Sequence, residues 1–272
     1  MKDDFSSRKA VHPDSAMIAI ASPYIRRMLL LCALISCLAA PPRADAFTVP
    51  ERLQYDLSWG VIKTGEAVLE VRRNGSGVQL ISRAASAGWV SVFYKVEDLV
   101  VSTLKKGVLG GAFEDLVGLP YHYRITLREG KHRRDKELII SQEARRVTYI
   151  NHLEKERKEY STTGGPVLDP LSSFYYVRTL PLEVGKSVYI NVVDGKKTYK
   201  AEVQVLRKEV VETPRGPVST ILIKPVIKSE GIFSRRGDIL IWLTDDQKRV
   251  PVMLKTKVAV GSVKAMLVGG TY

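Results

Sequence analysis

Leu53-Gln54-Tyr55-Asp56-Leu57-Ser58-Trp59-Gly60 decides how this chain is read. Large apolar residues at 53, 55, 57 and 59 alternate with polar ones, and a period of two puts each set on its own face of a β-strand. A turn is predicted over 60–65, and residues 66–72 form the next strand. Asn74-Gly75-Ser76-Gly77 then marks a hairpin, because its central positions must tolerate positive φ. Residues 78–84 return as a third strand.

The same grammar runs to the C-terminus. Strands are expected over 121–127, 136–141, 146–151, 157–162, 187–193, 198–211, 218–228, 238–243, 250–260 and 262–268. Glycine-, proline- and Asp-rich turns separate them, among them Glu129-Gly130-Lys131, Asp194-Gly195, Thr213-Pro214-Arg215-Gly216 and Asp245-Asp246. About a dozen strands at this spacing predict an all-β fold. Two stretches depart from it. Residues 86–105 have mixed spacing, read as a short helical turn followed by a strand from Glu97. Asp169-Pro170-Leu171-Ser172-Ser173-Phe174-Tyr175-Tyr176-Val177-Arg178 reads as a helix: Asp169 caps it, Pro170 takes the first helical position, and Pro181 ends it. The fold expected is mainly β, a single antiparallel β-roll or spiral barrel-like domain with one embedded short helix.

The N-terminal region is read separately. Arg26-Arg27 precedes an apolar run from Met28 to Ala40, followed by Pro41-Pro42-Arg43-Ala44-Asp45-Ala46. A basic start, a short apolar core and an A-x-A end make a secretory signal, with cleavage expected after Ala46. The run is shorter than the ~20 residues a spanning helix needs. The alternative is an outer-membrane lipoprotein: Leu34-Ile35-Ser36-Cys37 is similar to a lipobox, and membrane association would then come through acylated Cys37. Residues 1–46 are therefore assigned to an N-terminal extension and signal, with Met17 as an internal start candidate, and 47–272 to one β-rich domain in the periplasm.

The chain carries 42 Lys and Arg against 29 Asp and Glu, a formal charge of +13. Removing 1–46 takes six basic and four acidic residues and leaves +11. In an exported protein this charge points to anionic lipid headgroups, lipopolysaccharide or cell-wall polymers, not nucleic acid; charge that merely keeps the chain soluble is the alternative. Both cysteines, Cys32 and Cys37, lie in the apolar run.

Several segments in order carry a family resemblance: Leu53-Gln54-Tyr55, the 169–178 helix, Asp194-Gly195-Lys196, Thr213-Pro214-Arg215-Gly216, Gly231-Ile232-Phe233, Ile241-Trp242-Leu243-Thr244-Asp245-Asp246, Arg249-Val250-Pro251-Val252 and Gly261-Ser262-Val263. Together they resemble a bacterial exported family known as domain of unknown function 3108. The resemblance spans most of 47–272 and implies a periplasmic curled sheet with an embedded helix. It implies no activity.

Catalytic candidates are few. His122, His132 and His152 lie in strands or turns without a metal-binding spacing, and no G-x-S-x-G elbow occurs. Asp245-Asp246 after Trp242 reads as a turn in place of a cation site. No metal or cofactor is expected. Arg178 on the apolar face of the helix needs a buried carboxylate or a ring of carbonyls, or else must face a cavity; Asp56, Asp98 and Asp245 are conceivable partners. The candidates for locking helix to roll, or for lining a pocket, are Asp169, Phe174, Tyr175, Arg178, Trp242 and Asp245. Lys131, Arg133, Arg134, Arg145 and Arg146 fall in consecutive hairpins and are expected to gather on one basic rim suited to phosphate headgroups; the bland reading is a set of solvated strand edges. The aromatics Trp59, Trp89, Tyr121, Tyr123, Tyr149, Phe174, Tyr175, Tyr176 and Trp242 could line an interior, which either fills or keeps a cavity.

The function expected from these residues is non-enzymatic: binding of a lipid, lipopolysaccharide or envelope protein that supports envelope integrity. The alternatives are an envelope glycan- or lipid-modifying hydrolase and a scaffold that pairs a partner through an exposed β edge.

Overall fold

In a computed structural model that describes residues 46–106, 112–226, 239–258 and 261–272, the period-two pattern becomes fourteen strands of one antiparallel sheet. The first eight are β1 (Glu51–Trp59), β2 (Ile62–Asn74), β3 (Gly77–Ser86), β4 (Glu97–Lys105), β5 (Leu119–Glu129), β6 (His132–Ser141), β7 (Arg146–Asn151) and β8 (Glu156–Ser161). The last six are β9 (Ser187–Asp194), β10 (Lys197–Thr213), β11 (Gly216–Val226), β12 (Ile239–Thr244), β13 (Pro251–Lys257) and β14 (Ser262–Thr271). The signal-peptide reading, Cys37, Met17 and Gly231-Ile232-Phe233 lie outside the described residues, as do the far ends of the strands expected over 218–228, 238–243 and 250–260.

The sheet order is β8-β7-β6-β5-β4-β3-β2-β1-β14-β13-β12-β11-β10-β9. Two meanders thus grow in opposite directions from β1, which pairs with both β2 and β14. Both ladders of β1 are interrupted by a bulge in the partner: Val268 of β14 is the extra residue opposite Gln54/Tyr55, and Thr64 of β2 the extra residue opposite Leu57/Ser58. A bulge bends a strand and increases its twist, so the junction of the two meanders is also where the sheet curves. Gly270 serves the same bend: at φ +130° a Cβ there would sit 1.9 Å from the Arg52 carbonyl oxygen.

Each strand is joined to its spatial neighbour except at β8–β9, the two free edges. The turns therefore alternate between two rims. The upper rim carries the β1–β2, β3–β4, β5–β6, β7–β8, β9–β10 and β13–β14 connections; the lower rim carries those of β2–β3, β4–β5, β6–β7, β10–β11 and β12–β13. The β8–β9 gap is crossed by side chains: Tyr160 Oη donates to the Gly195 carbonyl (3.3 Å), and Lys196 Nζ lies 2.6 Å from Glu156 Oε1. The 162–186 connection folds inward, where Leu168 makes a parallel bridge to Val192.

Three helices accompany the sheet among the described residues: α1 (Gly88–Ser91), α2 (Ala112–Val117) and α3 (Pro170–Val177). α3 is embedded, packing on β3, β4 and β9. Phe47 meets Phe113 of α2 and Tyr175 of α3 edge-on, with centroids 6.4 and 5.2 Å apart, and Phe113 meets Tyr176 at 5.4 Å. These rings close the lower end of the roll. A smaller second core joins Leu53, Tyr55, Leu222, Trp242, Val252 and Leu267.

Three expectations need correction. α2 was not anticipated, because residues 106–118 carry no clear period. Trp59, Trp89 and Tyr121 do not line the interior but are exposed, whereas Tyr123, Tyr149, Tyr175 and Trp242 are buried. The basic residues do not share a rim. Arg145 and Arg146 sit at the lower end of the β6–β7 hairpin, while Lys131, Arg133 and Arg134 sit at the upper turn of β5–β6. The ten-residue β6 separates them by about 30 Å.

Candidate functional site

α3 is held at both ends by buried charge. At its start, Asp169 accepts from the Leu171 (2.9 Å) and Ser172 (3.0 Å) backbone amides, and Ser172 Oγ accepts from the Asp169 amide (3.0 Å). This reciprocal capping satisfies free N–H groups that would otherwise be buried. Ser102 of β4 and Ser172 add hydroxyl donors to Asp169 Oδ2 at 2.5 and 2.8 Å, which anchor the helix to the sheet. Burial raises the Asp169 carboxyl above the usual range, opposed by these donors. The same burial holds the Tyr175 phenol far above its ordinary range.

At the other end Arg178 caps the helix with its side chain fully buried. Its partner is Glu51, not Asp56, Asp98 or Asp245. Nη1 donates to Oε2 at 2.8 Å and Nη2 to Oε1 at 2.7 Å, a fork-to-fork pair. Nη2 also donates to the carbonyls of Lys248 (3.0 Å) and Ala46 (3.2 Å), and the guanidinium lies over Phe47 and Tyr175. The rejected partners are engaged elsewhere: Asp56 with Lys63, Asp245 with Lys208, and Asp98 as acceptor for the Arg128 amide. Glu51 escaped the sequence reading, although it shares the inward parity of Leu53 and Tyr55.

Between α3 and the inner face of β9–β13 lies a cavity of about 210 Å³. Phe174 and Val177 line its helix side; Ile190, Val192, Ala201, Val203, Ile241 and Leu254 line its sheet side. Asp194, Tyr199, Pro225 and Ile239, all at or near the upper-rim ends of their strands, complete it. The lower end is closed by the Phe47–Phe113–Tyr175 cluster, and Asp194 and Tyr199, the polar residues of the sheet wall, lie toward the upper rim. The wall is overwhelmingly hydrocarbon, and it offers a guest solvation in place of hydrogen bonds.

The other candidates fall elsewhere. Trp242 belongs to the second core and its Nε1 donates to Glu209 (2.6 Å). Asp246 accepts from Thr244 Oγ1 and the Lys248 and Arg249 amides, as expected of a turn. His122 and His152 both reach Glu137, each at 2.7 Å, a convergence of β5, β6 and the β7–β8 turn not visible from spacing. Partial burial alone would raise the Glu137 carboxyl; the two imidazole hydrogen bonds override it and hold it below the usual range. Among the described residues no group of side chains is placed to hold a metal ion.

Comparison with known proteins places the chain. The model of a family described as "Protein of unknown function (DUF3108)" matches residues 54–268. The fold is similar to that of a β-barrel-like protein of domain of unknown function DUF1849 from Brucella abortus. The TM-score is 0.52 at 12% identity, covering 83% of this chain and 98% of that one, so the likeness is one of fold. No curated protein matches the sequence.

Proposed function

The chain belongs to the DUF3108 family, and from that premise we propose a non-enzymatic protein of the periplasmic cell envelope that takes a lipid acyl chain into its interior. One observation carries the reading: the hydrocarbon-lined cavity beside α3. An apolar cavity of about 150 Å³ already stays dry and admits a benzene-sized guest. At about 210 Å³, this one is larger. Native interiors pack densely with few voids above the size of a water molecule, so a void of this size beside a doubly anchored helix is better explained by an occupant than by poor packing.

The alternatives draw less support. A hydrolase needs its acid or base in a cleft; the Glu137 cluster sits on the outer face of the sheet, with both histidines about one-third exposed. Pairing through an edge needs an open edge. β8 carries Glu156, Arg157, Lys158 and Glu159, and β9 is bridged by Leu168.

The test is native mass spectrometry of protein purified from the periplasm, with organic extraction of any adduct. The parent protein is expected to carry a phospholipid or glycolipid, or after delipidation to take up dansyl-undecanoate at one equivalent. Ala201→Phe, which fills the cavity from its sheet wall, is expected to reduce uptake about tenfold or more with unchanged far-UV circular dichroism. A delipidated parent that ignores the probe, or an Ala201→Phe protein that binds it equally well, would sink the cavity reading.

A further inference from the structure

The upper rim exposes a set of large apolar side chains that the core cannot use. Val61 at the β1–β2 tip is 100% exposed, and Val92 and Phe93 in the β3–β4 connection are 77% and 86% exposed. Trp59, Ile62, Trp89 and Tyr94 join them, each about half exposed. Scattered apolar residues on a surface need no explanation; a contiguous patch does.

Here the contiguity is built by backbone. The Ala87 amide donates to the Thr64 carbonyl (2.8 Å), which ties the α1 connection to the β1–β2 hairpin. The Gly130 amide donates to the Lys95 carbonyl (2.9 Å), and a bridge joins Val96 to Glu129, so the β5–β6 turn lies against the same connection. A Cβ on Gly130 would fall 2.5 Å from the Tyr94 ring, so the glycine turn is packed on that tyrosine. On the far side, a Cβ on Gly261 of the β13–β14 turn would come 3.0 Å from Trp59 Nε1. Four successive turns therefore form one strip.

The strip's flank is basic. The β5–β6 tip reads Gly130-Lys131-His132-Arg133-Arg134, three cations without an intervening acid. Beside it a groove of about 290 Å³ is bordered by Lys95, Arg128, Arg133 and Arg134, with Glu97 and Asp135 also in its wall. Aromatic and aliphatic side chains on projecting turn tips, next to clustered Lys and Arg, suit the layered chemistry of an anionic bilayer surface: hydrocarbon and carbonyls below, phosphate above.

We propose that the upper rim docks the protein on an anionic lipid bilayer, with Val61, Trp89, Val92 and Phe93 entering the headgroup region and the β5–β6 tip pairing with phosphates. This goes beyond the cavity reading and does not depend on it. Membrane contact of this kind needs neither a spanning helix nor acylation at Cys37.

The molecule carries its own reporter. Two of its three tryptophans, Trp59 and Trp89, stand on this rim, and Trp242 is buried with its Nε1 bonded to Glu209. Exported protein is mixed with vesicles of dioleoylphosphatidylcholine alone or mixed 1:1 with dioleoylphosphatidylglycerol, then followed by tryptophan emission and co-sedimentation. Expected are a blue shift and sedimentation with the anionic vesicles, weakening as salt rises. Val92→Asp with Phe93→Asp is expected to weaken binding about tenfold or more. Lys131→Glu with Arg133→Glu is expected to weaken it at least about fivefold, and only on anionic vesicles. All four residues are exposed, so folding is expected to survive, and parent and variants share the same N-terminus. Equal sedimentation of parent and variants would overturn the proposal. So would absence of a blue shift, or a concentration-dependent dimer abolished by Phe93→Asp in a protein that ignores vesicles.

Discussion

Glu51 and Arg178 lie 127 positions apart and meet as a fully buried ion pair. Taking both charges out of water is expensive, and their mutual attraction, with the Lys248 carbonyl as a further acceptor, offsets that cost only while both are present. Removing one side strands the other. Glu51→Ala is therefore expected to cost about 3–5 kcal/mol in urea unfolding, whereas Glu51→Leu with Arg178→Met should fall near neutral or gain stability. A single-variant loss below about 1 kcal/mol would show that the pair does not fix α3. Half of this pair was legible: an arginine on the apolar side of a predicted helix demands a partner. The other half was legible in principle, since a carboxylate at 51 has the parity of Leu53 and Tyr55. The distal aspartates drew attention because sequence carries no measure of distance between the ends of a roll.

Among the elements, α3 was the easiest to read and the most consequential. Asp169, Pro170 and the 171/174/175/178 spacing are local signals, and the local geometry matches them. What sequence could not supply was the anchor: Ser102, on the fourth strand, donates to the capping carboxylate. That environment gives the helix a pH dependence whose sign can be worked out. Burial leaves Asp169 with a pKa above the ordinary value of 3.8. As pH rises through 3.8 the unfolded carboxyl ionises first, while the folded one keeps its proton until its own higher value is reached. Stability contributed by this group is thus greatest below 3.8 and is lost as pH climbs to the folded pKa, above which it is constant. Asp169→Asn retains a good cap but removes the titration. The stability difference, parent minus variant, should therefore fall as pH increases from about 3.5 across that window. A flat difference would mean that the carboxylate is as well stabilised in the fold as in water, and one that increases with pH that it is better stabilised there.

At the scale of the molecule the strand grammar transferred well, because alternation and glycine turns are local, while closure and rim assignment are not. Consecutive hairpins read alike in sequence whichever end they point to, which is why Arg145–Arg146 and the Lys131 turn were expected together. Closure leaves β8 and β9 as free edges, and the molecule guards them unequally. β9 is covered at Val192 by Leu168, and β8 relies on its own charges. Tyr160 of β8 packs on the core, so Glu156 and Lys158 share its inward parity; Glu156 is used at the seam with Lys196, and Lys158 would carry a charge onto the inner face of any sheet extended past β8. Inward charge on an edge strand is a known guard against pairing between molecules. Lys158→Val with Arg157→Thr should then leave unfolding within about 0.5 kcal/mol of the parent, as surface changes do. The same variant should self-associate, seen as higher-mass species by light scattering at concentrations where the parent stays monodisperse. If it remains as monodisperse as the parent, the seam made by Tyr160 and Glu156 is itself enough to close the edge. The roll would then behave in solution as a shut barrel.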